Sequence, residues 1–479
     1  MTIFLGYLVS ASYLAAIILI FGFVNKKLKV DVEITRKILH ILIGFTWVFM
    51  DLFWHRSFHQ IIMCGIFVVL NSISRKFKIF PGIEREKDDH PGTVYYALSM
   101  FILAIASYLY EPLYMPFGMA VICLSFGDGF APIIASVFKK QNPKLVGNKT
   151  LAGSIACFVF SAVATIVFNF CYRLEYSYLE IFAIASVVAV AELFCQKGLD
   201  NFGVTFSVAI FALLIKANAF DDGFLICVLS SAAVVLAILL SKSLTPSATF
   251  LAYAMLLVSA YSTGYEGSLL YVIPFFIIAV VGKVRKSILK KRGIIKEKSV
   301  RNAKQVAING LIALIFAVVY RITAKNGFFV LFAISLAEAF ADSLASDVGS
   351  LAKKDPYDLV RRKRVPSGIS GGVSVTGSIS ALIGSAVVGA LTYWKLKNPY
   401  ASIFVICFGF GGTLIDSILG SLFQALYRCR DCGELVETRI HHGRVAELIK
   451  GNKFVTNNAI NLITNLLTVL LGATCFFVI

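Results

Sequence analysis

The sequence predicts an all-α, polytopic integral membrane protein of about sixteen transmembrane helices, arranged as two parallel eight-span halves. Three observations carry that reading. Of 479 residues, 58% are hydrophobic and 15% charged, whereas a soluble domain carries roughly 25% charge. Apolar runs of about twenty residues recur along the whole length, each enough to cross a ~30 Å hydrocarbon core. The basic residues crowd into alternate connections. These features exclude a secreted disulfide scaffold, a disordered chain and a soluble nucleic-acid binder, so no nucleic-acid partner is expected. Outside the spans there remain only loops and termini, so chemistry has to occur in the bilayer or in short loops.

In order, the spans fall near 3–24, 38–54, 59–74, 93–110, 116–138, 151–171, 178–196, 202–216, 224–241, 247–263, 268–282, 304–320, 327–349, 371–393, 399–427 and 456–479. The connections alternate sides, starting from an uncharged N-terminus placed outside. Of the 45 Lys and Arg residues, 38 then lie in the loops at 25–37, 75–92, 139–150, 197–201, 242–246, 283–304, 350–370 and 428–455. The positive-inside rule makes that side cytoplasmic. The first span has no basic stretch ahead of it, so a cleaved signal peptide is not expected. The ten cysteines lie mostly inside spans, where they read as small packing residues, and no disulfide is expected. The basic loop at 283–304 sets topology and attracts anionic lipid headgroups.

Sixteen spans divide into two halves of the same orientation, and the text repeats accordingly. Aligning Asp128 with Asp342 places Ser136 against Ser350, Lys139-Lys140 against Lys353-Lys354, and Lys149 against Lys363. Each half has an intramembrane Asp, then a basic cytoplasmic loop, then a Gly/Ser/Thr-rich start of the next helix. Each also has a second acid, Glu192 or Asp416, near the cytoplasmic part of a later span.

A carboxylate at bilayer depth needs a partner or a task. Asp128 sits in FGDGFA, where Gly127 and Gly129 let a ligand or a second helix come close. Aspartate is a natural ligand for Mg²⁺, which takes oxygen ligands and commonly binds with phosphates. The following loop, KKQNPKLVGNKTLAGS, suits phosphate. Thr150 is a candidate helix cap, the amides of Leu151 to Gly153 would point at an anion, Lys149 adds charge and Ser154 a hydroxyl. GNKT lacks the first glycine of a P-loop, since Asn142 stands there, so that motif is rejected.

The second half has RRKRVPSGISGG, where Arg361 to Arg364 adjoin a turn from Gly368 to Gly371 and Gly372 that could cup an anion. Glu338 and Asp342, four apart, share a helix face, whereas Asp347 points away from Asp342 on a regular helix. Asp416 follows a glycine pair. Arg36, Lys37 and His40 mark a cytoplasmic helix start, and GLDNFG offers Asp200 and Asn201. RNAKQVAING carries Arg301, Asn302, Gln305 and Asn309, and NNAINLITN carries Asn457, Asn458 and Asn461; such amides often serve only as bonds between helices. Cys429, Cys432, His441 and His442 have the ligand types of a zinc site, although adjacent histidines rarely face one metal.

RKILHILIG, HPGTVYYAL, FGDGFA, GNKTLAGS and AELFCQKGLDNFGV, from Arg36 to about Val204, resemble the membrane-embedded dolichol and phytol kinase family, whose members use CTP. RNAKQVAING, AEAFADSLASDVGSL, RVPSGISGGVSVTGS and GGTLIDSILGSLFQ, over roughly 300–470, resemble the phytyl-phosphate kinase family, which phosphorylates an isoprenyl monophosphate. Pro132 and His442 depart from those patterns; at 442 a cysteine is expected, which weakens the zinc reading.

The resemblance implies a prenol kinase domain over 1–241 and a prenyl-phosphate kinase domain over 242–479, acting in sequence on the cytoplasmic side with CTP or another nucleoside triphosphate and Mg²⁺. Asp128, Lys149, Asp342, Arg364 and Asp416 would be catalytic. Asp128, Glu192, Asp342 and Asp416 would bind metal. Arg36, Lys37, His40, Thr150, Gly153, Ser154, Asp200, Asn201, Gly368, Gly371, Gly372 and Asn457 would hold nucleotide or phosphate. The same polar groups would serve a CTP-dependent cytidylyltransferase making a CDP-lipid. A lipid-phosphate transporter is the other alternative, disfavoured by short, plain outward loops.

Overall fold

The computed structural model describes residues 2–28, 32–77, 92–138, 142–196, 198–292, 300–352, 354–366 and 369–478. Lys139, Lys140, Lys353 and Gly368, which the sequence alignment and the anion turn invoke, lie outside the described residues. The chain divides into two compact units, Met1–Ser241 and Lys242–Ile479.

The first unit contains α1 (Thr2–Leu28), α2 (Val32–Gly44), α3 (Thr46–Trp54), α4 (Phe58–Phe77), α5 (Gly92–Leu109), α6 (Tyr114–Cys123) and α7 (Gly129–Val137). A short hairpin follows, β1 (Lys144–Val146) and β2 (Lys149–Thr150), and then α8 (Leu151–Tyr172), α9 (Tyr178–Phe194), α10 (Asp200–Lys216) and α11 (Asp222–Ser241). Between α6 and α7 the helix widens into one π-helical turn, Leu124–Asp128, a feature frequent at functional sites. The hairpin pairs Val146 with Lys149, so Gly147 and Asn148 form its two-residue loop. Gly147 has φ 56°, a conformation glycine adopts without strain.

The second unit contains α12 (Pro246–Lys291), α13 (Ala303–Thr323) and α14 (Asn326–Gly349), then β3 (Tyr357–Asp358), β4 (Lys363–Arg364), β5 (Gly372–Val373), α15 (Val375–Leu396) and α16 (Pro399–Phe423). The strands β6 (Leu426–Arg428), β7 (Leu435–Val436), β8 (Ile440–His441), β9 (Arg444–Val445) and β10 (Glu447–Lys450) precede α17 (Asn457–Val478). Helix α14 is the centre of this unit and packs on α12, α13, α15, α16 and α17. Its core is Phe329, Phe332, Ile334, Phe340 and Leu344, with Val388 and Val405 from α15 and α16.

Among the described residues, twelve helical stretches are long and apolar enough to cross a membrane, against about sixteen predicted. The difference is local. Helix α1 is described as apolar only over Ile3–Ile17. Helices α9 and α10 have 17 residues each. The 46-residue α12 is broken at Gly264, φ 80°, between the tenth and eleventh predicted spans. Large apolar side chains such as Phe170, Ile322, Val375 and Tyr400 are exposed, as lipid-facing positions require. The helix contacts instead bury Ser99, Ser161, Thr165, Thr205, Ser335 and Ser385. Small hydroxyl residues let helices approach where the hydrophobic effect supplies no drive between them.

Candidate active sites

The first site forms where the two glycines flanking Asp128 admit neighbouring helices. A Cβ at Gly127 would collide with Ser161 of α8, and one at Gly129 with Ile41 of α2. The close approach of α2 brings Lys37 to Asp128, a pair 91 residues apart in sequence, with Nζ donating to Oδ2 at 2.6 Å. His40 Nε2 lies 3.6 Å from the same oxygen, and its ring packs on Tyr96 at 4.8 Å. Arg36 is within electrostatic range of His40. Asp128 Oδ1 is buried with no partner.

Beside this pair, Lys149 forms an ion pair with buried Glu192, and Asp200 lies 3.5 Å away. Burial works against the Lys149 ammonium, but Glu192, Asp128 and Asp200 outweigh it and raise its pKa above the usual lysine value. Two lysines thus offset three acids, and none of these charges is left alone in low dielectric. Asn201 donates to the carbonyls of Gly92 and Gly198 at 2.9 and 3.2 Å; its Oδ1 is buried without a partner. Contacts thus join Lys37 and His40 to Asp128 and Lys149 to Glu192 and Asp200, and Asp128 and Lys149 put the two groups in electrostatic range of each other.

The start of α8 corrects that reading. The amides of Leu151 to Gly153 are not free for an anion. Leu151 N donates to Pro143 O at 3.0 Å, Ala152 N to Asn142 Oδ1 at 2.9 Å, and Gly153 N to Thr150 Oγ1 at 3.3 Å. Asn142 and Thr150 are caps, because a helix start leaves donors that the loop must satisfy. Gly153 serves packing: its Cβ would stand 3.3 Å from the Ala131 carbonyl on α7. Ser154 is buried, with no partner for its hydroxyl.

In the second unit Ser374 caps α15 by accepting from Gly377 N at 3.1 Å, and a Cβ on Gly377 would stand 3.1 Å from the Ala345 carbonyl. Ala131 and Ala345 each lie three residues after the aspartate, so this one glycine contact recurs in both units. It also corrects the sequence alignment. The residue before the cap is Lys149 in one unit and Val373 in the other, so Lys363 is not the counterpart of Lys149. Arg364 lies exposed on β4 and donates to the Asp355 carbonyl at 2.9 Å; no described contact brings it to the acids carried on the helices of this unit.

Those acids are Glu338, Asp342 and Asp416. Glu338 accepts from Asn465 Nδ2 at 2.5 Å, and Asn465 is locked in turn by Ser335, whose hydroxyl donates to its Oδ1 at 2.6 Å. Thr464 Oγ1 donates to Asp416 Oδ1 at 3.3 Å. Asp416 and Glu338 are in electrostatic range of Asp342, and Asp342 of Arg301 and Asp347. Helix α14 continues through Gly349, and Asp347 is turned to Arg285 at 3.1 Å. Among the described residues no lysine or arginine forms a salt bridge with Glu338, Asp342 or Asp416. Such a surplus of carboxylate, buried at Glu338 and half-buried at Asp342 and Asp416, fits a hard divalent cation better than the lysine-paired first site does. Asn457 is exposed at the start of α17 and touches none of these acids. Asn465 and Thr464 are the functional candidates that the sequence reading does not name. Their signal was the four-residue step from Asn461 to Asn465 along one helix face.

The anion turn is also already held from within. Asp358 accepts from the amides of Val360 and Arg361, each at 3.0 Å, and from Ser421 Oγ at 2.7 Å. Ser370 N donates to Glu437 Oε1 at 2.8 Å. Gly371 has φ 94°, and a Cβ there would stand 2.7 Å from the Ser421 side chain. Gly372 pairs with Asp358 across β5 and β3. Burial tends to raise the Asp358 pKa, but the Arg361 amide, Ser421 and the Val360 amide outweigh it and hold it below the ordinary value. A depressed pKa contributes stability above about pH 4 that is lost as the pH falls through the folded value. Asp358→Ala should cost about 1–3 kcal/mol by orphaning those donors. A thermal melt in detergent should show the loss at neutral pH and a smaller difference near pH 3.

The fold and sites define a polytopic membrane protein with clusters of acidic and basic side chains among its helices. The chain belongs to the integral membrane protein family DUF92, whose model matches residues 229–469. It is 27% identical over 216 residues to a phytol kinase of Synechocystis, covering 42% of this chain and 88% of that protein. It is 27% identical over 164 residues to an uncharacterised membrane protein of Methanocaldococcus jannaschii, covering 34% of this chain and 68% of the relative. No solved structure matches.

Proposed function

We propose that the chain is a membrane-embedded isoprenoid-alcohol kinase that works in two steps on the cytoplasmic side: prenol to monophosphate in the first unit, monophosphate to diphosphate in the second. The kinship with a phytol kinase supports the substrate class. The observation that carries the chemistry is the buried, unpartnered Asp128 Oδ1 beside two lysines.

Phosphoryl transfer asks for positioning and charge stabilisation rather than covalent work by the protein. The prenol oxygen attacks the γ-phosphorus of a nucleoside triphosphate, the bond from that phosphorus to the β,γ-bridging oxygen breaks, and the nucleoside diphosphate leaves. Asp128 Oδ1 takes the hydroxyl proton, while Lys37 orients the carboxylate through its other oxygen. Lys149 has three donors, and Glu192 and Asp200 orient it, so phosphate oxygens meet a fixed positive charge. In the second unit Asp342 and Asp416 would hold Mg²⁺, which screens phosphate charge when bound. Asn465 and Thr464 keep Glu338 and Asp416 in place. Arg301, rather than Arg364, is the cation on hand for the monophosphate. The prenyl tail lies in grooves between helices open to lipid, which is why such a kinase resides in the membrane.

The test incubates purified protein with labelled prenols of increasing length and either CTP or ATP. Phosphorylated prenol with release of nucleoside diphosphate is expected; a nucleotide-linked lipid with release of pyrophosphate would instead mean cytidylyl transfer. Excess EDTA is expected to suppress the second step by about 10²-fold or more, since among the described residues no lysine pairs with the acids there.

A further inference from the structure

We propose that the lobe between α16 and α17 binds a structural zinc ion through Cys429, Cys432 and His441. Among the described residues these three are the one group of potential metal ligands that converges, their ligand atoms all within 4.8 Å of one another. Cys432 Sγ is 3.7 Å from His441 Nδ1. Two tight turns aim them at each other. In the first, Cys429 N donates to Glu434 O and Gly433 N to Cys429 O, at 2.9 and 3.0 Å, and Gly433 has φ 74°. In the second, β8 and β9 pair His441 with Arg444, and His442 and Gly443 turn the chain at φ 52° and 76°. Two thiolates and an imidazole are soft-to-borderline donors that suit Zn²⁺.

The lobe also needs a staple. Its own core is Ala425, Tyr427 and Ala446, with Val436 packed against them. That is too little apolar surface to hold five short strands, and small folds of this kind are held by a metal or a disulfide. The lobe is not idle, since Glu437 on the segment between the two turns anchors Ser370 at 2.8 Å and is in electrostatic range of Asp416. His442 is not part of the convergent group, so the absence of a cysteine at that position does not remove the site.

Elemental analysis of the full-length protein, purified in detergent without chelator, tests this. About one zinc per chain is expected, falling to about a tenth in Cys432→Ser and in His441→Ala, while His442→Ala retains it. Replacement by Co²⁺ in the wild-type chain should give a thiolate-to-cobalt charge-transfer band of a tetrahedral site. That arm stands even where a variant fails to fold. Zinc-free wild-type protein with no cobalt band, a Cys429–Cys432 disulfide in the reduced preparation, or full zinc content in folded Cys432→Ser would each overturn the proposal. Equal loss in His442→Ala would overturn the three-ligand assignment.

Discussion

Asp128→Asn is expected to abolish conversion of prenol to monophosphate, slowing it by roughly 10²–10³, about 3–4 kcal/mol of lost transition-state stabilisation. Asparagine keeps the shape but cannot accept the hydroxyl proton at neutral pH. The substitution also removes the counter-charge of buried Lys37, and breaking a buried pair can cost about 3–5 kcal/mol. Glu192 lies in electrostatic range of Lys37 and limits that cost. Monodispersity and the melting temperature separate the two effects: a folded protein that binds nucleotide but does not phosphorylate prenol is the expected result.

Asp342→Asn should do the reverse. With prenol and nucleotide supplied, monophosphate accumulates and diphosphate formation falls by roughly 10²–10³. Stability should change little or rise, because the residue is in electrostatic range of Glu338 and Asp416 and has no salt-bridge partner among the described residues. Removing a like charge from an acid cluster relieves repulsion. A chromatographic time course of the two lipid products reads the split directly.

The helices were legible because lipid leaves little choice: a span must be long, apolar and internally hydrogen-bonded. Asp128, Lys37, His40, Lys149 and Glu192 could each be picked out, since charge at bilayer depth is rare. Their pairing could not. Lys37 meets Asp128 across 91 residues because Gly127 and Gly129 let α8 and α2 close in, and a pattern of glycines does not say which helix arrives. The start of α8 misled for a physical reason. A cap and an anion site have the same sequence signature, and only the placement of Asn142 shows that the chain fills its own donors. The Arg361 to Arg364 run is denser in charge than the single Arg301, yet Arg301, which precedes a capping box of Asn302 and Gln305, is the cation that Asp342 feels. Asn465 was hidden among ordinary interhelical amides until its bond to Glu338 set it apart.

The most direct measurement of the two-site account supplies prenyl monophosphate, with nucleotide and Mg²⁺, to folded Asp128→Asn protein that no longer phosphorylates prenol. The account predicts diphosphate formation at close to the wild-type rate, because the acids of the second step belong to the second unit. Loss of that conversion in the folded variant would contradict it, and would mean one composite site in place of two.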